Sequence, residues 1–279
     1  MFIAVSGGWA IEPGPVAPVG CGGCTGRPAP VYFLADRAPS ATMVGTANQV
    51  APGATAGVLW LTTYPPDAGL RTAVGTAREV TSTGAPAAPP LRLPAGYQID
   101  QATSRGLLLA QLVAPARYLL WSPSGVHRTF ANVIAASGST VAWVPQCVVT
   151  CLVYVLSLAT GHQVIITPPP NSPVVDAAFS PDGRYLALGV SYGFGPMSGE
   201  LRVRLEVATV ATGHLQAVPD PWMNSGARVG FGWPADRDEL VAELSLAAKV
   251  HVVSWRPGAV RSAVVAVKAG QDPKDLIVG

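Results

Sequence analysis

"AAFSPDGRYLALGV", residues 177–190, is an apolar run, a Ser-Pro-Asp-Gly break, and a second apolar run. In such a break Pro fixes φ, Asp bonds nearby backbone and Gly accepts positive φ, so the chain turns tightly. The flanks then read as paired strands, over 174–180 and 184–191. Downstream, in "ELRVRLEVATV" (200–210), Leu201, Val203, Leu205 and Val207 alternate with Arg202, Arg204 and Glu206. That is the period of a half-buried strand. "ATG" turns the chain again, and "HLQAVP" (214–219) completes four short antiparallel strands.

The plan recurs. "ARVGFGW", "ELVAELSL", "KVHVVSW" and "RSAVVAV" form a second set between 227 and 267. Phe179 and Phe231 are 52 residues apart, and so are the two copies of "ATGH" at 159–162 and 211–214. Two independent markers with one offset identify a repeat. Upstream, "NVIAAS", "TVAWVP", "CLVYVLSL" and "HQVIITP" form a third unit, residues 97–131 a fourth and residues 48–94 a weaker fifth. Four strands every 40 to 50 residues is the sequence signature of a β-propeller, whose blades must stack to cover their apolar faces. "PVYFLAD" (30–36) and "ATMVG" (41–45) read as outer strands of a further blade, with "DLIVG" (275–279) as its inner strand. The expectation is an all-β chain of six four-stranded blades, with five or seven as alternatives. Residues 30–279 would be one propeller domain closed by its terminal strands, behind a loosely ordered Gly/Pro-rich leader over 1–29.

"FSPDGRYLALG" resembles the TolB-type and WD-repeat-like propeller motif, in which a strand ends in Ser-Pro-Asp-Gly and returns as an apolar strand. "YVLSLATG" resembles the third strand and turn of the same repeat, with Ser157 where Asp is usual. The close match covers residues 151–215. The resemblance implies a scaffold or binding role rather than a reaction, because the motif marks a fold.

Composition agrees with a large β core. The chain has 279 residues, 49% of them apolar and 12% charged, with 30 Gly and 27 Pro. Typical globular chains carry about 25% charged residues. Net charge is +2 and the arginines are scattered, which excludes the clustered basic face of a nucleic-acid binder. No apolar run approaches the roughly 20 residues of a membrane span. The start "MFIAVSGGWAIEPGP" has no basic n-region, so it does not read as a signal peptide.

The cysteines are Cys21, Cys24, Cys147 and Cys151. Their C-x2-C and C-x3-C spacings permit two local disulfides, four free thiols or a four-thiolate zinc site. Disulfides are the favoured reading, and they tilt the protein towards an extracytoplasmic compartment, secreted or anchored through a missing N-terminal segment, over the cytoplasm. "GVSYG" (189–193) matches the G-x-S-x-G nucleophile elbow, which needs a strand-to-helix turn at its serine. The sequence after Ser191 is strand-like, so no catalytic residue is assigned. Asp100 and Asp176, on first strands of their blades, are the faint candidates for chemistry at a central channel. "DRDE" (236–239) reads as a solvated turn, and the histidines lack ligand spacing, so no metal or cofactor is expected.

Loops joining strands two and three, or entering the next blade, are longer than the other set. They carry Tyr64, Tyr192, Phe194, Met197, Trp222 and Met223. Aromatic and Met residues on such loops point to a contact surface. The functional expectation is a monomeric, non-enzymatic propeller that binds a protein or peptide there. The alternatives are a lyase or hydrolase using the channel, or an accessory propeller of a longer, membrane-anchored protein.

Overall fold

The computed structural model describes residues 2–5, 8–11, 26–35, 40–55, 57–113, 117–145, 147, 151–194, 201–225, 231–233, 238–246 and 249–266. Every regular element in them is a β-strand. The strands form four-stranded antiparallel sheets, each a meander of sequence neighbours, in two compact units, Met1–Asn132 and Val133–Gly279.

In the first unit, β1 (Phe2–Val5), β2 (Gly8–Ile11), β3 (Ala29–Ala35) and β4 (Thr42–Ala47) make the first sheet. The second sheet is β5 (Gln49–Pro52), β6 (Val58–Thr63), β7 (Thr76–Thr81) and β8 (Leu91–Arg92). The third is β9 (Tyr97–Thr103), β10 (Gly106–Gln111), β11 (Arg117–Ser122) and β12 (Gly125–Ala131). The first sheet differs from expectation. Its first two strands come from residues 2–11, ahead of the Gly/Pro-rich stretch: apolar "FIAV" pairs with "GWAI", which pairs in turn with β3. "DLIVG" lies outside the described residues, as do Cys21 and Cys24.

The apolar runs lack strict alternation because the middle sheet is covered on both sides. Leu59 and Leu61 of β6 pack with Val31, Phe33 and Val44 of the first sheet. Trp60, between them, packs with Ile99, Leu107 and Leu109 of the third. Full burial of one such Leu stabilises by about 1.5–3 kcal/mol.

In the second unit, β13 (Val133–Ala136), β14 (Thr140–Trp143), β15 (Val153–Ser157) and β16 (Gln163–Ile166) form the fourth sheet. The fifth is β17 (Val174–Phe179), β18 (Tyr185–Phe194), β19 (Leu201–Thr209) and β20 (Leu215–Ser225). The sixth is β21 (Phe231–Gly232), β22 (Leu240–Leu246), β23 (Lys249–Trp255) and β24 (Ala263–Ala266). Leu186, Leu188 and Val190 of β18 pack against Ala142, Val153 and Val155 of the fourth sheet. Val203, Leu205 and Val207 of β19 pack the other way, against Trp233, Leu240, Val253 and Trp255. The repeat marker at 231–233 is therefore a core element, and Trp233 Nε1 also donates to the Ala178 carbonyl at 3.0 Å.

The opening stretch is the β17–β18 hairpin. Ser180 Oγ accepts from the Tyr185 N–H and donates to Asp182, whose carboxylate also accepts from the Arg184 N–H. The Arg184 guanidinium pairs with Asp182 and reaches Asp238, just ahead of β22 (Leu240–Leu246). Gly183 takes φ +71°, and Gly213 in the "ATG" turn takes the same value.

One irregularity recurs. The first strands of the third, fourth and fifth sheets each carry one extra residue against the second strand: Asp100, Ile134 and Val175. Such bulges bend a strand and increase its twist locally.

Candidate contact face

The fifth sheet is unlike the others described. Its β18, β19 and β20 run 10, 9 and 11 residues, against two to seven for strands of the other sheets. Ser191–Phe194 of "SYGFGPMSGE" and Pro219–Ser225 of "PDPWMNSG" are drawn into these strands. Tyr192 and Gly193 form a bulge on β18, between the pairs Ser191↔Val203 and Phe194↔Leu201. Pro219 and Pro221 fall where β20 shifts register, between Glu206↔Ala217 and Arg204↔Trp222. β20 is the edge strand of its sheet, and an edge or a bulge is where a strand tolerates proline. The result is a three-stranded ribbon ending at Phe194, Leu201 and Ser225.

Four of the six expected contact residues belong to this ribbon end. Tyr192 and Phe194 are in β18, and Trp222 and Met223 are in β20. Met197 is in the connection from β18 to β19, outside the described residues. Phe194 and Trp222 share one sheet. Register separates them by face. Trp222 is opposite Arg204, and Asn224 opposite Arg202; Met223 is opposite Val203, and Phe194 opposite Leu201. Residues directly opposite share a face, and faces alternate along a strand. Thus Trp222 and Asn224 occupy positions on the face of Arg202, Arg204 and Glu206. Phe194 and Met223 occupy positions on the face of Leu201 and Val203.

Tyr192 belongs with the first group. Its hydroxyl donates to Glu206 Oε1 at 2.9 Å. Burial raises the phenol pKa, and the Glu206 bond and charge raise it further, against the opposing Arg204. Glu206 is itself only 5% exposed, Arg204 is half-buried and Arg202 exposed. The sequence presented these three as the solvated side of a half-buried strand. Three ionisable side chains in a row on one face of an apolar strand were the available signal that this side is more than solvated surface.

Tyr64 is different. It is 5% exposed, its N–H donates to Asn48 Oδ1 at 2.8 Å and its hydroxyl to the Tyr97 carbonyl at 3.0 Å. Burial raises its phenol pKa strongly. It caps the end of the second sheet, as placed, instead of meeting solvent.

Cys147 and Cys151 form a disulfide with Cα atoms 4.4 Å apart, on the connection from β14 to β15. Cys147 is exposed, whereas Cys151 is 2% exposed and lies in the apolar cluster that Tyr192 borders. Ser191 sits inside β18, between β17 and β19, and is 3% exposed. There is no strand-to-helix turn at this serine, so the nucleophile-elbow geometry is not formed. Asp100 stays accessible to water on its bulge, yet the protein packed around it raises its carboxyl pKa. Tyr118, on β11 of the same sheet, is raised by burial and then by the Asp100 charge. Asp176 is exposed and bonds the Ala177 N–H at 2.8 Å. Among the described residues no three His, Cys, Asp or Glu side chains are grouped to hold a metal ion. No helix among them is long and apolar enough to cross a membrane.

Comparison with solved structures defines the class. The chain is similar to prolyl oligopeptidase B from Galerina marginata, with a TM-score of 0.60 at 14% identity. That match covers 96% of this chain and 42% of the peptidase, so the chain spans about two fifths of that protein's length. AztD from Citrobacter koseri aligns with a TM-score of 0.51 at 14% identity, over 96% of this chain and 72% of AztD. Lignostilbene dioxygenase from Pseudomonas brassicacearum aligns at 0.51 and 12% identity, over 93% of this chain and 70% of the enzyme. With the meander sheets, these likenesses show an all-β, β-propeller fold built of four-stranded antiparallel blades. Enzymes stand among these neighbours, so the likeness carries the fold and no activity. No protein-family model matches the chain, and no curated protein does.

Proposed function

We propose that this is a non-enzymatic propeller of the TolB-type kind, acting outside the cytoplasm as a monomeric scaffold for a protein or peptide partner. The carrying observation is the extended ribbon of the fifth sheet. Its end gathers Tyr192, Arg204 and the Trp222 position on one face, and the Phe194 and Met223 positions on the other. Tyr, Trp and Arg are the residue types that dominate binding energy at protein interfaces. The Tyr192–Glu206 bond holds one of these anchors in place before any partner arrives, which lowers the ordering cost of binding. Met197, between β18 and β19 in the sequence, is assigned to the same proposed surface. The Cys147–Cys151 disulfide supports an oxidising compartment.

Cross-linking in an extracytoplasmic extract tests this reading. A photo-reactive residue at position 202 is expected to capture a partner, and one at position 126, on the exposed Val126 of β12, is not. Equal capture at both positions would contradict a ribbon-centred site.

A further inference from the structure

The second sheet meets strand β9 through side chains that cover its exposed edge. Tyr64 donates to the Tyr97 carbonyl, and Gln49 Nε2 donates to the Ile99 carbonyl at 3.2 Å. These two carbonyls lie two residues apart, just before the Asp100 bulge. β9 is the edge of its sheet, so alternate carbonyls point outward and need partners. That accounting leaves two atoms over. Gln49 Oε1, an acceptor, and Trp60 Nε1, a donor, are buried without a protein hydrogen-bond partner among the described residues.

The two atoms are complementary, and they lie on one face. Gln49 is opposite Thr62, and Ala51 is opposite Trp60. Gln49 and Trp60 are thus diagonal neighbours across β5 and β6, a spacing of roughly 7–8 Å that long side chains bridge. The face is fixed independently. Trp60 packs in the apolar cluster with Ile99, and Gln49 bonds the Ile99 carbonyl. Trp60 is only 5% exposed, so bulk water does not satisfy its indole. A buried donor and acceptor left apart cost free energy, whereas a buried water with two to four polar partners removes that cost.

We propose that a single internal water is bound between the second and third sheets. It accepts from Trp60 Nε1–H and donates to Gln49 Oε1. Thr62, 1% exposed and directly opposite Gln49 on the same face, offers a third group. The ligand is water because the site asks for one small molecule that both accepts and donates, amid Leu, Ile and Ala walls that exclude an ion. The bound water fixes the Gln49 amide so that its Nε2 stays on the β9 edge.

The full-length, nitrogen-15-labelled chain tests this by water-contact NMR. The Trp60 indole signal, identified by its loss in Trp60→Phe, is expected to show a long-lived water contact. A high-resolution crystal structure is expected to show one water within hydrogen-bond distance of both atoms. Gln49→Met and Trp60→Phe should each lower the melting temperature, and the double variant should lose less than the sum of the two. No long-lived water contact, a direct bond from the Trp60 indole to a protein acceptor, or strictly additive melting shifts would overturn the proposal.

Discussion

Trp222 stands directly opposite Arg204 in the ladder between β19 and β20, while Phe194 stands opposite Leu201 three positions earlier on β19. An odd offset on a regular strand means opposite faces. The two aromatic positions therefore flank one ribbon. A partner that reads both must grip the ribbon end, and a partner that reads one face depends on one of them. In the second case Trp222→Ala and Phe194→Ala should have unequal effects on affinity. Titrating each variant with the cross-linked partner measures this.

Gly213 and Gly183 take the same left-handed backbone but have different surroundings. A Cβ on Gly213 would lie 2.7 Å from the Ile165 carbonyl oxygen on the fourth sheet, while a Cβ on Gly183 would meet nothing within 4 Å. Gly183→Ala bears only the conformational cost, about 1 kcal/mol. Gly213→Ala adds a clash with a neighbouring backbone and should cost about 2–4 kcal/mol. Denaturant midpoints of the two variants give the comparison.

Asp182 organises the β17–β18 turn. Burial raises its carboxyl pKa, but the Arg184 N–H, the Ser180 hydroxyl and the Arg184 guanidinium outweigh burial and hold it below the usual value. A carboxyl lowered by folding stabilises fully above its unfolded pKa, and that stability is lost as pH falls through the folded value. Asp182→Ala should cost about 1 kcal/mol near neutrality. Its difference from the wild type should shrink in acid, as read from melting at several pH values.

Asp100 has the opposite sign, because its carboxyl is raised in the folded chain. Stability associated with it falls as pH rises from its unfolded pKa through the raised folded one. Asp100→Asn should be neutral in acid and slightly stabilising at pH 7. Solvent access at the bulge keeps the gain to about 1 °C in Tm.

The Cys147–Cys151 bridge has a sequence separation of four, so it closes a very short loop. In the chain-entropy model such a closure stabilises by about 2 kcal/mol. Reductant, or Cys147→Ser with Cys151→Ser, should lower Tm by a few degrees. Thiol titration of the denatured protein should find no free thiol at these two positions before reduction.

The sheets were legible in the sequence wherever a turn residue had one physical meaning. "SPDG" and both "ATGH" copies mark hairpins in the structure. Proline and glycine misled where an edge or a bulge absorbs them. Gly193, Pro219 and Pro221 read as loop punctuation, yet each lies within a strand at a register shift. The contact residues were picked for chemistry alone, so neither the single sheet that holds Phe194 and Trp222 nor their division between its faces was visible. That division depends on the register of β19, which only pairing sets. Tyr64 had the same aromatic-on-a-loop signature, but the Asn48 amide and the Tyr97 carbonyl draw it inward. The first sheet was misjudged at its start because two four-residue strands carry little pattern before they pair.

In the proposed function, the end of the β18–β20 ribbon binds a partner through Arg204 and Trp222. The most direct measurement is the affinity of the cross-linked partner for the wild type, for Trp222→Ala with Arg204→Lys, which keeps the charge beside Glu206, and for Val126→Asp, each checked by melting. Large interface anchors contribute 2 kcal/mol or more. The paired ribbon variant should therefore bind at least about 30-fold more weakly at near-unchanged Tm, and Val126→Asp should bind as the wild type does. Full affinity in the ribbon variant, or a loss of binding only in step with a loss of fold, would contradict the claim.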